Sequence, residues 1–441
     1  MLYYIIALMT SLRLKIFSVI FLFLAITPNL GFFNIPSFIL LVFSYGLLIR
    51  AGFASQQAPA KPEDRSWFIG IVFILFALAS LFYGGLYQDK VMLEIGKILH
   101  MTTLVFLFYK TLISKTSGRN LLIIALAMYS LIAILTLKSS PTPIIDAFIQ
   151  MKEAPLAFLQ GMNPYDIVYT KIYANVTPDY FTFLPMGFLL PIPFVLILGD
   201  PRYLLLTANI IAALVIYSQC KRNKQEELGA IAAAGFLFLP RAFYMLEHMF
   251  LDQLVFAFYS LWLFTYLAKK TKLWLLLLAM FFTFKQHLLL LLPLFLGNKN
   301  IKNHLTIKNA PYFALPFLPI LYFLVINPGA FLNDTLVSLT SAHITSPINI
   351  SLSLSTFLRN AHFQVDNLGY LLVSLAVTGI VMFLLARKKT VSLTLKIAIT
   401  LFTFHLLLHH SFFNHYYLIA CFLYLDIILD LLGEKFPGTS I

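Results

Sequence analysis

Long apolar runs alternate along this chain with short polar breaks made of Pro, Gly and Lys/Arg clusters, and the runs show no sustained apolar/polar alternation. A helix needs about 20 apolar residues to cross hydrocarbon, whereas a membrane barrel needs period-2 strands of about ten. The pattern therefore predicts helical spans near residues 14–33, 36–50, 67–86, 91–113, 119–138, 203–220, 228–246, 250–268, 273–297, 309–327, 367–386, 391–409 and 413–432. The run at 273–297 is interrupted by Lys285-Gln286-His287, which predicts a broken helix turning there. Between the fifth and sixth runs lies a less apolar stretch, 138–202, holding Asp146, Glu153, Asp166, Asp179 and Asp200 and a Pro-broken apolar piece at 183–198. The expected fold is all-α, a polytopic transmembrane bundle of about 12 to 14 spans with a long first external loop carrying juxtamembrane helices. Its expected parts are N-terminal transmembrane helices (1–137), an external loop with re-entrant or juxtamembrane helices (138–202) and a C-terminal transmembrane bundle (203–441).

Composition sharpens this picture. Of 441 residues 60% are apolar and 11% charged, and the mean hydropathy is +0.87, which excludes a soluble domain. The net charge of +13 would point to nucleic acid in a soluble chain; here a positive-inside bias explains it, and no nucleic-acid partner is expected. If 183–198 is re-entrant and 273–297 turns back at Lys285, most basic residues fall on one side, among them Arg13, Lys61, Lys115, Arg222, Lys269, Arg387 and Lys435. Both termini are then cytoplasmic. The opposite side gathers Asp146, Glu153, Tyr165, Glu247, His248, Asp252, Lys285, Gln286, His287, His343, Arg359, His409, His410 and His415. Ionisable groups near hydrocarbon are costly unless they face a cavity or one another, so their convergence marks a site. Cys220 and Cys421 form no CxxC and read as packing residues.

Motifs follow in a fixed order. Ile145-Asp146-Ala147 stands just beyond the fifth run, with Glu153 after it, then Gly161-Met162-Asn163-Pro164-Tyr165. Phe183-Leu184-Pro185 through Gly199-Asp200-Pro201-Arg202-Tyr203 comes next, then Lys285-Gln286, and Phe413-Asn414-His415-Tyr416-Tyr417 opens the last run. In this order the motifs resemble the GT-C superfamily of integral membrane glycosyltransferases that use polyprenyl-phosphate sugars, and most of all its bacterial mannosyltransferase-like branch. The resemblance covers about two thirds of the chain, from Asp146 to Tyr417. It implies inverting transfer of mannose or a similar sugar from a polyprenyl-phosphate donor to a lipid or glycan acceptor, on the outer face of a bacterial plasma membrane. It also implies Asp146 as catalytic base. Many members carry a paired Asp-Asp or Asp-Glu where this chain has Asp146 between Ile145 and Ala147, which leaves the identity of the base and the involvement of a divalent cation open.

Read as chemistry, such a transfer needs a carboxylate within reach of the acceptor hydroxyl and donor groups for the departing phosphate. Asp146 and Glu153 are the candidate acids, and in a helix Asp146, Gln150 and Glu153 share one face; the bland alternative for Asp146 is a helix cap or a partner for Lys152. Lys285 lies between two apolar runs, where a lysine must find an anion or a wet cavity, or snorkel. Arg202 and Arg241 read as interface anchors, Arg359 as a loop solvator or phosphate contact, Gln286 as a substrate contact in the polar break, and His415 and Tyr416 as sugar or phosphate contacts or as interfacial packing. Glu247, His248 and Asp252 bracket a turn and could bind a sugar hydroxyl or a cation, or be ordinary turn polarity. Asn163 and Tyr165 belong to a turn that is structural first, with substrate contact as the second reading. His409, His410 and His415 lack HxxxH spacing, so no metal site is expected from them, and the Asn175-Val176-Thr177 sequon carries no weight. Two other readings are a transporter or flippase of a lipid-linked or anionic substrate, and a glycan polymerase or ligase. Interfacial clustering of the polar residues and the lack of an internal repeat favour the transferase.

Overall fold

The computed structural model describes residues 9–53, 62–114, 116–172, 178–338, 350–363 and 365–434. Lys61, Lys115, the 175–177 sequon, His343 and Lys435 lie outside them. All regular structure among the described residues is helical, apart from one isolated bridge between Phe32 and Ser351. Seven of these helices are long and apolar enough to cross a membrane, or eight if the bent pair Ala310–Ile326 and Pro328–Val337 is one span. This is a multi-pass integral membrane protein.

The number of long helices is below the twelve to fourteen spans expected, for a local reason. Each apolar run does become helix, but several are cut short. The run at 228–246 breaks around Pro240 into Glu226–Leu237 and Ala242–Glu247, because proline offers no N–H to continue a helix. Runs at 14–33, 250–268 and 391–409 yield helices of 16, 16 and 15 residues, Ser11–Ile26, Asp252–Leu267 and Leu393–Leu407. At about 1.5 Å per residue these fall short of the ~30 Å hydrocarbon core. The run at 273–297 breaks at Thr283-Phe284-Lys285, between Thr271–Phe282 and a 3₁₀ turn, Gln286–Leu291.

The chain divides into two compact units. The first comprises Met1–Phe76, Leu291–Asn303 and Ser346–Ile441. In it Ser11–Ile26 packs on Ile35–Phe53 and on Phe413–Leu431, and Leu393–Leu407 packs on Asn367–Ala386 and on Phe413–Leu431. Ser18 and Ser44 donate to each other's carbonyls at 3.0 and 2.8 Å, the close approach that small residues permit in helix pairs. The buried Lys15 ammonium lies 2.6 Å from both Asp426 and Asp430, pinning the first described helix to the last. Gly31 (φ +76°) is required twice over, by its left-handed backbone and by the Phe413 nitrogen, 2.3 Å from where a Cβ would stand.

The second unit comprises Ala77–Leu290 and His304–Thr345. Arg202–Arg222 packs against Glu226–Leu237, Asp252–Leu267 and Gly118–Ser139, and Lys90–Leu112 joins through Gly118–Ser139. On this bundle lies Asp146–Leu159, packed against the short helices Met186–Leu189 and Ile192–Leu198. It is the helix that the acid-bearing loop was expected to contain. Gly161 (φ +81°) ends it in a Schellman motif, with the Gly161 N–H on the Phe158 carbonyl at 3.0 Å and the Met162 N–H on that of Ala157 at 2.9 Å.

Candidate functional site

Asp146 is the first residue of its helix, where a negative charge meets the positive end of the helix dipole. One carboxylate oxygen accepts the Ala147 N–H at 2.8 Å and the other the Tyr180 phenol in a long hydrogen bond of 3.4 Å. The side chain is half-buried. Burial pushes its carboxyl above the ordinary carboxylate range, against the pull of those two donors. The nearby charge raises the Tyr180 phenol in turn, after burial as the larger cause.

Tyr180 belongs to an irregular strap, Tyr180–Leu184, whose every residue is tied to a different part of this unit. Gln150, buried on the Asp146 helix, donates to the Tyr180 carbonyl at 2.6 Å. The Phe181 N–H donates to Asp334 at 2.8 Å, and Gln286 donates to the Thr182 carbonyl at 2.7 Å. Tyr165 donates to the Phe183 carbonyl at 2.9 Å, and the Leu184 N–H to that of Phe284 at 3.1 Å. Irregular backbone away from water needs such partners for every N–H and C=O. Gln286 also donates to the Thr335 carbonyl at 2.7 Å, so the predicted helix break joins the strap to the Pro328–Val337 helix. That helix follows a 118° bend at Asn327, whose side chain accepts the Ala330 N–H at 3.1 Å and donates to Asp166 at 3.1 Å.

Several expected site residues take part in this frame rather than lining it. Tyr165 is 2% exposed, its ring set edge-on to Phe181, Phe323 and Phe331 and its hydroxyl on the strap, so it is an anchor. Asn163 accepts the Tyr165 N–H at 3.1 Å, an Asx turn. Glu153, half-buried, accepts the Thr170 N–H at 3.0 Å and so fixes the same loop. Lys285 found an anion: its ammonium lies 2.7 Å from Asp252, which is fully buried at the start of its helix, and sits over the Phe183 ring at 5.8 Å.

A second polar centre forms around Glu247. Its carboxylate accepts the Leu86 and Tyr87 N–H groups at 2.6 and 3.0 Å. His248, 1% exposed, is held by the Tyr244 carbonyl at 3.0 Å among the rings of Tyr87, Tyr244 and Phe250. A Cβ on Gly85 would stand 1.7 Å from the Glu247 carboxylate, so Gly85→Ala is expected to destabilise the protein by about 1–3 kcal/mol in denaturant unfolding. An unchanged midpoint would show that this loop moves freely aside. Arg202, read from sequence as an interface anchor, is fully buried and clamps three elements. It forks onto Asp200 at 2.6 to 3.1 Å, bonds Ser140 at 3.0 Å and the Leu137 and Glu247 carbonyls at 3.3 and 3.4 Å, and lies over the Phe148 ring at 4.7 Å.

The remaining expected residues belong to the first unit. Arg359 is tied locally to Asn367 at 2.6 Å and the Val365 carbonyl at 3.3 Å, over the Tyr370 ring. Tyr416 is fully buried and donates to the Leu352 and His405 carbonyls, the second at 3.2 Å, which closes the end of Leu393–Leu407. His415 caps its own helix by accepting the Phe412 N–H at 3.3 Å, and its ring stacks on His405 with centroids 4.2 Å apart. Ring nitrogens of His405 and His415 lie within 4.8 Å, so this pair, which the expectation of no metal passed over, could share an ion.

Asp334 and Tyr180 are the site's unforeseen members; Gln150 was placed on the Asp146 face without a partner. Asp334 is 2% exposed, and the signal that could have found it is a three-residue polar break, Asn333-Asp334-Thr335, with one acid, between Phe331-Leu332 and Leu336-Val337. No family model, curated protein or solved structure matches this chain.

Proposed function

We propose that this protein is a membrane glycosyltransferase that moves mannose or a similar sugar from a polyprenyl-phosphate donor to a lipid or glycan acceptor, with inversion. The observation that carries the reading is the Asp146 carboxylate: half-buried, at a helix start outside the long apolar helices, raised by burial, and met by a phenol on a strap tied at every residue. A base of this kind is matched to an alcohol acceptor better than a fully solvated carboxylate is. The acceptor oxygen attacks the anomeric carbon, its proton passes to Asp146, and the bond to the phosphate oxygen breaks with the electron pair leaving on polyprenyl phosphate. Lys285, buried against Asp252, holds the frame and is assigned no part in this step. The distribution of basic residues supports cytoplasmic termini and an outward-facing site, and the motif order supports a bacterial plasma membrane.

The reading is tested by incubating the purified protein with radiolabelled polyprenyl-phosphate mannose and a panel of other lipid-linked sugars, with membrane lipids as acceptors. A new labelled product with one donor supports it; a panel left unconsumed overturns it. The pH dependence follows from the direction of the Asp146 shift. The base acts ionised, so the rate rises with pH through its folded value, and the acid limb of kcat/KM is expected above the ~3.9 of a free aspartate. A limb at or below that value contradicts Asp146 as the base.

A further inference from the structure

Asp334 is a buried carboxylate that the proposed chemistry does not use. One oxygen accepts the Phe181 N–H at 2.8 Å and the other a long bond of 3.3 Å from Asn333. Its electrostatic neighbours are Asp166 and Asp179, both of like charge, and the phenols of Tyr165 and Tyr169. No ion pair to Asp334 occurs among the described residues. A buried acid without a cation is costly, so its place needs a reason.

The reason lies in the strap. Side chains of Phe181 and Tyr180 diverge there. Phe181 enters the aromatic cluster, with ring centroids 5.5 Å from both Tyr165 and Phe188, while Tyr180 turns to Asp146. The Phe181 N–H, bonded to Asp334, belongs to the peptide that joins these two residues. We infer that Asp334 is a positioning residue for Asp146: by accepting the Phe181 N–H it fixes the register of the strap and so holds the Tyr180 phenol on the Asp146 carboxylate. It acts through that hydrogen bond, as an acceptor. The inference rests on Asp146 being the base.

The experiment is an infrared titration of Asp146 in the full chain in lipid nanodiscs, its carboxyl band assigned through Asp146→Asn. Tyr180→Phe removes a donor that lowers the Asp146 value and is expected to raise the midpoint by roughly 0.5–1 pH unit. Asp334→Ala is expected to give the same shift, and the double variant no further shift. Asp334→Asn keeps an acceptor oxygen and is expected to titrate like the wild type. The inference is overturned if Asp334→Ala titrates like the wild type, if the two shifts add, or if Asp334→Asn shifts as far as Tyr180→Phe. Where Asp334→Ala does not fold, Asp334→Leu, which fills the space without an acceptor, takes its place with the same expectation. No donor is present, so an absent transferase activity would remove the functional reading and leave this result standing, and an unmoved midpoint would do the converse.

Discussion

Exchange of Asp146 for asparagine is expected to lower sugar transfer by about 10²- to 10⁴-fold, the range that one positioned acid–base group contributes, with unfolding unchanged. The amide keeps the shape of the side chain and an oxygen for the Ala147 N–H or the Tyr180 phenol, and it loses the capacity to take a proton. The loss is expected in kcat with little change in KM, because proton acceptance belongs to the transition state and not to donor binding. Glu153→Gln is the matched control. Its oxygen accepts the Thr170 N–H, which an amide oxygen also does, so transfer is expected to stay within a few-fold of wild type. A severe loss with Glu153→Gln and none with Asp146→Asn would exchange the roles of the two acids.

The second large effect is on stability. Lys285→Met leaves Asp252 fully buried and without its ammonium partner, and is expected to cost about 3–5 kcal/mol. The double exchange Lys285→Met/Asp252→Leu removes both charges and is expected to recover most of that loss, since desolvating the ion pair was itself unfavourable. Reversible unfolding in mixed micelles reads both. If the single exchange is neutral, the pair does not hold the broken helix. If the double exchange is as poor as the single, the two residues act separately.

These two groups also show what the sequence conveys and what it hides. Helical runs were legible because hydrocarbon imposes a length and a composition on every span, and the break at Lys285 was legible because three consecutive polar residues interrupt an apolar run. Helix lengths were not, since Pro240 ends a helix inside a run that hydropathy alone reads as continuous. Placement of Asp146, Gln150 and Glu153 on one helical face followed from periodicity. What each meets did not: Gln150 holds a carbonyl 30 positions away, and Asp334 an N–H 153 positions away. Side chain to backbone bonds over such separations leave no period and no spacing. Tyr165 and Tyr416 illustrate the same limit from the other direction. An interfacial tyrosine with a substrate contact and a buried tyrosine bonded to a distant carbonyl have the same local sequence, and only burial separates them.

The measurement that tests the central claim most directly uses a donor labelled with tritium in the sugar and carbon-14 in the polyprenyl chain, supplied to the protein in sealed proteoliposomes with acceptor lipid. A transferase separates the two labels: tritium moves to a new product, carbon-14 stays with polyprenyl phosphate, and Asp146→Asn abolishes the separation. Labels that remain together, or cross the bilayer together, would contradict a transferase and leave lipid transport as the activity to pursue.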